Sequence, residues 1–179
     1  MFNWDRSRRA IVLGGSVLAI VLALLSFTAR LQVARAAEAD ATKDRIDIQE
    51  KLLYAYAYTF DSKDCVGWSN LWTTDGVLDL VGTMKHNGRD AIRQMCIARQ
   101  KDVIGNNKTH HNMMNIVFDQ LTSRRAETRT YCISTWQKPD DGAISVHAAV
   151  VYKDVIVKSD DGKWLFKERR VDLSGGLPH

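Results

Sequence analysis

Cysteine is scarce in this chain, and its scarcity limits the kinds of site the chain can hold. Three cysteines, Cys65, Cys96 and Cys132, are spread over 179 residues without a Cys-x-x-Cys pair. An odd number at wide spacing argues against a disulfide framework and against a cysteine metal site. We therefore expect all three to be small, buried, hydrophobic side chains.

The common motifs of metal sites and serine hydrolases are also absent. The sequence has no His-x-His, His-x-x-x-His or His-Glu-x-x-His pattern. The adjacent His110 and His111 would point to opposite faces of a strand. No Gly-x-Ser-x-Gly motif supports a serine nucleophile. We expect neither a metal nor a bound cofactor.

A concentrated basic surface is missing as well. The net charge is +4, and the basic residues are dispersed apart from a cluster at residues 6–9. Nucleic-acid-binding domains usually gather lysine and arginine on one face among aromatic side chains. We therefore expect no nucleic-acid partner.

The basic cluster precedes an apolar run over residues 10–29 that carries no charge. At about 1.5 Å per helical residue, the run is long enough to cross a hydrocarbon layer of about 30 Å. It fits an uncleaved membrane anchor, or a signal peptide cleaved at Ala34-Arg35-Ala36. Positive charge before the run sends the rest of the chain across the membrane. We expect a periplasmic or extracellular protein, secreted or anchored by this helix.

These features divide the chain into a signal or anchor segment (1–36), a linker (37–44), a globular domain (45–173) and a tail (174–179). Within the domain, helical patterns cover 45–60, 65–72 and 89–101. Strand patterns cover 77–81, 109–121, 126–137, 144–157 and 163–172. Two Asp-Gly pairs, at 141–142 and 161–162, mark hairpin turns. Helices followed by a meander predict an α+β fold, whose curved sheet leaves a pocket on its concave face.

The end of the first globular helix carries a phenol and a carboxylate on its apolar side. Tyr56 lies on the row Ile48, Leu52, Tyr56, Phe60, and Asp61 lies on the row Leu53, Ala57, Asp61. Both rows follow the four-residue spacing of one helix face. An acid that leans toward the interior needs a compensating partner.

The strand that begins at Thr109 offers such a partner. One of its faces carries His111, Met113, Asn115 and Val117, and the other carries His110, Asn112, Met114, Ile116 and Phe118. The second set is more apolar, so the alternation alone leaves the inner face undecided. A histidine with an aspartate forms a general acid–base pair, and the Tyr56 hydroxyl would complete the residues a dehydratase or isomerase needs. A helix cap, a hydrogen-bonded histidine and a core tyrosine are the ordinary alternatives.

Several segments, taken in order, resemble one family. They are Tyr56-x-x-x-x-Asp61, then Trp72-Thr73-Thr74-Asp75-Gly76-Val77-Leu78-Asp79-Leu80, Gly88-Arg89-Asp90-Ala91-Ile92, Thr109-x-His111-x-x-x-Asn115, and Asp161-Gly162-Lys163-Trp164-Leu165-Phe166-x-x-Arg169. On these residues the region 45–172 resembles the SnoaL-like branch of the nuclear transport factor 2-like superfamily. That branch includes scytalone dehydratase, bile-acid 7α-dehydratase and lindane dehydrochlorinase.

The resemblance implies a cone-shaped α+β barrel, with N-terminal helices packed into a strongly curved, mostly antiparallel sheet around a deep apolar pocket. Members often form dimers or trimers. The catalytic aspartate and histidine of the lyase members match Asp61 and His111, and a tyrosine that polarises the substrate oxygen matches Tyr56. The resemblance therefore selects the His111 face of the strand. The candidate substrate-binding residues are Asn115, Trp72, Met95, Met113 and His110.

The sequence also departs from scytalone dehydratase. That enzyme has a tyrosine directly before the aspartate, where this chain has Phe60, and a second tyrosine falls near Leu80. We do not expect scytalone as the substrate.

Our leading hypothesis is a cofactor-independent lyase of the dehydratase type, or an isomerase, acting on a small hydrophobic cyclic molecule. We expect a homodimer or homotrimer. The alternative is an exported, non-catalytic domain that binds a small ligand or takes part in assembly. A third reading, a β-subunit-like partner of a larger oxygenase, fits poorly with export.

Overall fold

A computed structural model describes the backbone of residues 5–172, with the side chains of Leu22 and of residues 24–172. The chain divides into two compact units between Thr42 and Lys43. The helices are α1 (Asp5–Ile48), α2 (Ala55–Asp61), α3 (Cys65–Ser69) and α4 (Arg89–Ala98), with π-helical segments at Gln49–Tyr54 and Arg99–Ile104. The strands are β1 (Trp72–Leu80), β2 (Met84–Asn87), β3 (Lys108–Leu121), β4 (Arg125–Gln137), β5 (Ile144–Lys158) and β6 (Trp164–Asp172).

Helix α1 includes the segment 37–44 that we interpreted as a linker. Three alanines and no glycine or proline in that segment favour a helix. The described part leaves out residues 1–4 and 173–179, and so it leaves out the predicted tail 174–179. It also leaves out the side chains of much of the apolar run 10–29. No helix in the described residues is both long and apolar enough to cross a membrane. The signal peptide and the anchor therefore stay predictions.

The six strands form one mixed sheet in the order β2-β1-β6-β5-β4-β3. Only the β1–β6 pair in this sheet is parallel, and α2 and α4 pack on β3 and β1. The predicted α+β class, with helices packed against the sheet, is confirmed. The hydrophobic helix that we expected before the domain is not confirmed, and it stays a prediction.

The two Asp-Gly turns lie where the sequence predicted them. Gly142 and Gly162 have φ angles of 69° and 83°, and they follow the turns that join β4 to β5 and β5 to β6 as antiparallel pairs. Glycine adopts this left-handed conformation without the cost a side chain would add. The start of β1 was predicted wrongly as a helix and a turn. An irregularity between Trp72 and Val77 accommodates the turn-like residues inside the strand, and the short edge strand β2 was missed.

A bulge in β3 resolves the ambiguity between its two faces. The pairing of β3 with β4 shifts between Met114 and Val117, and Asn115 has a φ of 52°. The extra residue reverses the alternation that follows it. Met113 therefore packs against the core on one side of the bulge, and Ile116 and Phe118 do so on the other.

A disulfide joins Cys65 at the start of α3 to Cys96 on α4. Our expectation of three unpaired cysteines was wrong for these two. Their Cα atoms lie 5.6 Å apart, inside the range a disulfide requires. A sequence separation of 31 concealed that proximity. Cys132 is free and buried, as expected.

Candidate active site

Asp61 ends α2 beside the first residues of β3. The row that leads to it is buried as predicted, because Ile48, Leu52, Tyr56 and Phe60 are at most 5% exposed. The Asp61 side chain keeps 18% of its surface exposed. It accepts three hydrogen bonds: from the Thr109 hydroxyl at 2.8 Å, the His111 backbone N–H at 2.8 Å and the His111 ring at 2.7 Å. Each oxygen of the Asp61 carboxylate therefore accepts at least one hydrogen bond.

The contact with Asp61 determines which nitrogen of His111 carries the hydrogen. The carboxylate approaches Nδ1, and an ionised carboxylate only accepts hydrogen bonds, so Nδ1 is the donor. In the neutral ring Nε2 is then the unprotonated nitrogen, which can take a proton. The edge of the His111 ring also packs against Phe60 and Tyr56, at centroid distances of 5.2 and 6.1 Å.

His111 and Tyr56 line a cavity of about 380 Å³ between the helices and the sheet. Most of its walls are apolar, and they come from α2, α3, α4, the second π-helical segment and all strands except β2. The lining includes Phe60, Trp68, Leu78, Leu80, Met95, Ile104, Ala148, Val150 and Val171. The indole N–H of Trp68 is buried and has no hydrogen-bond partner among the described residues.

Tyr56 is held by a buried cation. The Arg169 guanidinium lies 4.1 Å from the Tyr56 ring and 4.3 Å from the Tyr152 ring. Both oxygens of Asp154 accept a hydrogen bond from Arg169 at 2.8 Å, and both side chains of this pair are fully buried. The cation–π contacts and the two-point ion pair fix the position of Tyr56.

Both phenols at this site are kept neutral by their surroundings. Burial raises the pKa of Tyr56, although the Arg169 charge and a hydrogen bond with Tyr152 oppose that shift. Burial and the neighbouring Tyr56 raise the pKa of Tyr152 well above its ordinary value. A neutral Tyr56 can donate a hydrogen bond to a substrate oxygen.

A second group of polar residues lines the same cavity, and the sequence analysis missed it. It consists of Arg99, His147 and Trp136. Arg99 Nη2 lies 3.2 Å from His147 Nε2, and the Trp136 ring stacks on the His147 ring at 4.0 Å. Burial lowers the pKa of His147, and the charges of Arg99 and His111 act in the same direction.

The predicted binding residues are distributed unevenly. Met95 lines the cavity. Trp72 is completely buried behind it, where its ring packs on those of Tyr56 and Phe166. His110 and Met113 line an outer groove that also reaches Asp61 and His111. Asn115 is exposed at the bulge and lines neither of these two spaces.

Within the described residues, no group of three or more histidine, cysteine, aspartate or glutamate side chains is arranged to hold a metal ion. The polar side chains around the cavity are a carboxylate-bound imidazole, two phenols, the Arg99 group and the hydroxyls of Thr109 and Ser134. They are suited to proton transfer and to hydrogen bonding with a bound oxygen.

The fold and the enclosed cavity define an NTF2-like α+β domain. An NTF2-like protein with a cystatin-like fold from Novosphingobium aromaticivorans superposes with a TM-score of 0.70 and 22% identity, covering 79% of this chain and 89% of its own. Residues 40–170 match the SnoaL-like domain, and the chain belongs to that family. No curated protein matches the sequence.

Two further solved structures share the fold. One, provisionally named a scytalone dehydratase, also comes from Novosphingobium aromaticivorans, with a TM-score of 0.62, 22% identity and coverage of 74% and 86% of the two chains. The other is ActVI-ORFA from Streptomyces coelicolor, with a TM-score of 0.66, 19% identity and coverage of 76% and 99%.

Proposed function

We propose that this protein is a cofactor-independent lyase of the dehydratase type, or an isomerase, acting on a small hydrophobic cyclic carbonyl compound. The observation that carries the proposal is the contact of 2.7 Å between His111 Nδ1 and Asp61 Oδ1 at the wall of an apolar cavity. The Thr109 hydroxyl and the His111 backbone N–H also donate hydrogen bonds to Asp61, so the carboxylate is fixed in position beside the His111 ring.

The proposed reaction begins at a C–H bond beside the substrate carbonyl. His111 Nε2 takes this proton, and the electron pair of the broken bond moves onto the carbonyl oxygen. Tyr56 donates a hydrogen bond to that oxygen, while Asp61 stabilises the imidazolium.

In the second step the imidazolium returns the proton. In a dehydratase the β-hydroxyl receives it and leaves as water, the C–O bond breaks, and the former C–H electrons form the new double bond. In an isomerase another carbon of the same substrate receives the proton. Asp61 retains its charge throughout, since it orients the ring and does not itself transfer a proton.

A β-hydroxytetralone tests the dehydratase reaction directly, because loss of water gives a fluorescent naphthol. We expect the full-length protein to form the naphthol, and His111→Ala and Asp61→Asn each to abolish it. His86→Ala is the matched control, since His86 lies on the edge strand β2 and does not line the cavity. Exchange of the tetralone α-protons in D₂O, followed by NMR, detects the first step alone.

Turnover that survives both His111→Ala and Asp61→Asn would overturn the proposed mechanism. Tight binding of the tetralone with neither exchange nor product would favour the non-catalytic binding domain. This alternative has one observation in its favour, because Asp61 also borders the outer groove and is not sealed inside the cavity.

We also propose that the domain is exported, either cleaved after Ala36 or anchored by its N-terminal helix, and that it forms a homodimer or homotrimer. The Cys65–Cys96 disulfide supports export, because such bonds persist in oxidising compartments. Cell fractionation with N-terminal sequencing of the mature chain tests the first statement. Light scattering of the purified protein tests the second.

A further inference from the structure

The Arg99 group differs from the rest of the cavity wall. Among the described residues that line the cavity, Arg99 is the one whose side chain is permanently charged. Among the described side chains, no carboxylate lies within ion-pair distance of Arg99. Its polar contact is with the His147 ring. A guanidinium beside an apolar cavity, without a counter-charge, is a site for an anionic oxygen.

The geometry of the Arg99–His147 contact leaves the guanidinium available. Arginine has five N–H donors and no acceptor, so Arg99 donates one hydrogen bond to His147 Nε2. His147 therefore carries its hydrogen on Nδ1 and is neutral in this contact. It orients the guanidinium without neutralising its charge, and the remaining N–H donors can bind two oxygens in parallel.

The backbone places His147 at this position by an irregularity in the strand. Ser134 of β4 pairs with Ala148 and Thr135 pairs with Val146, so His147 is the unpaired extra residue of a bulge. Bulges redirect a side chain that regular alternation would place elsewhere. The nearly parallel stack on Trp136, with 13° between the ring planes, then fixes the His147 ring.

His147 is exposed and yet lines the cavity, so the group lies where the cavity meets solvent. An anion bound there can keep part of its hydration, which limits the cost of transferring a charge from water. The apolar remainder of the same molecule can extend inward, along Met95 and Leu80, toward the His111 ring. The enclosed volume of about 380 Å³ is at the lower end for small-molecule pockets.

We propose that Arg99, oriented by His147, binds an anionic oxygen of the substrate, so that the substrate is a small cyclic molecule with a carboxylate or an ionised phenol or enol. The word substrate here rests on the proposed function, whereas the binding of the anion does not. Arg99 is the binding residue and His147 is its positioning residue. No other part of the site assigns a charge to the ligand.

Calorimetric titration of matched probe pairs tests the proposal at neutral pH. Naphthoate and neutral naphthamide form the carboxylate pair, and para-nitrophenolate and para-nitroaniline form the phenolate pair. We expect the wild-type protein to bind at least one anion about tenfold more tightly than its neutral partner. Preference in the first pair alone identifies a carboxylate, preference in the second alone identifies a phenolate or enolate, and preference in both identifies their shared chemistry.

Two arginine variants assign the preference to a residue. Arg99→Gln should remove the preference while it leaves the affinity for the neutral probe unchanged. Arg93→Gln is the control, because Arg93 lies on α4, which leads into Arg99, but pairs with Asp90 and does not line the cavity. It should retain the full preference. Asp61→Asn should also retain it, so a failed catalytic mechanism and a failed anion site give different results.

The inference is overturned if neither anion binds more tightly than its neutral partner, which includes the absence of binding by all four probes. A preference that persists in Arg99→Gln also overturns it. Circular dichroism of each variant establishes that the fold is retained. If Arg99→Gln does not fold, Arg99→Lys replaces it; there we expect a weakened preference, because an ammonium keeps the charge and loses the two-point geometry, and an unchanged preference counts against the proposal.

Discussion

The cavity holds two imidazole rings whose partners carry opposite charges. His111 donates a hydrogen bond from Nδ1 to a carboxylate, and His147 accepts one at Nε2 from a guanidinium. The same side chain therefore exposes a different nitrogen at each position. The partner, more than the histidine itself, decides what each ring can do.

The two rings also differ in how the fold holds them. His111 is tied to Asp61 through both its ring and its backbone N–H, on the regular part of β3. His147 is the extra residue of a bulge in β5, and its ring is held by a stack with Trp136. The first arrangement suits an atom that must meet a C–H bond accurately, and the second suits recognition of a charge near solvent.

The same substitution in both rings gives the sharpest test of this comparison. We expect His111→Gln to lower kcat by about a hundred- to ten-thousand-fold, because the general base is lost. We expect His147→Gln to act mainly on KM, since Arg99 loses its orientation but the reacting atoms keep theirs. Steady-state kinetics on an identified substrate separates the two constants. Equal losses of kcat would remove the distinction.

The next largest effect concerns the support behind Tyr56. Asp154→Asn leaves the Arg169 charge buried and unpaired, so we expect the free energy of unfolding to fall by about 3–5 kcal/mol. Urea denaturation measures the change. Asp119→Asn is the control, because it breaks a two-point arginine pair of similar geometry at the surface, and it should have little effect. Similar losses in the two variants would contradict a special role for burial.

The disulfide should have a smaller effect. It joins α3, which carries Trp68, to α4, which leads into Arg99, and so it connects two elements that line the cavity. Replacing both Cys65 and Cys96 by serine should lower the free energy of unfolding by about 2–4 kcal/mol. Reductant should shift the thermal midpoint of the wild-type protein and leave that of the double variant in place. A wild-type midpoint that does not respond would contradict the bond.

The smallest effect is a pH dependence from His147. Its pKa is lowered on folding by burial and by the charges of Arg99 and His111. The unfolded chain therefore binds more protons at acid pH, and stability falls as pH drops below about 6.5, the ordinary value for histidine. We expect His147→Phe to reduce this slope of the thermal midpoint between neutral and mildly acid pH. An unchanged slope would show that His147 is not held neutral.

Local patterns in the sequence were sufficient to predict the hairpins and the helix that carries Tyr56 and Asp61. The two Asp-Gly turns placed β4, β5 and β6, and the four-residue spacing placed Tyr56 and Asp61 on one buried side. The contact between Asp61 and His111 spans 50 residues, and no periodicity encodes it. That pairing came from the family resemblance, and the distance agrees with it.

Several of the features that the sequence did not predict depend on long-range geometry. The two bulges break the alternation from which inner and outer faces are deduced, and this break moved Asn115 outward and His147 inward. Arg99 follows a helix end and carries no motif, and the disulfide needs two elements to meet in space. In each case the missing information is a contact between distant segments, which one sequence does not contain.

The bulge at Asn115 has a consequence for how β3 tolerates insertions and deletions. The part of β3 before the bulge carries His111, and the part after it carries Ile116 and Phe118. The alternation of inward and outward side chains is therefore set separately on the two sides of the bulge. Deleting Asn115 would leave His111 in place and turn the distal part over, exposing its apolar side chains. The pairing with β4 shifts again between Phe118 and Gln120, so a deletion there would restore the alternation only beyond that point.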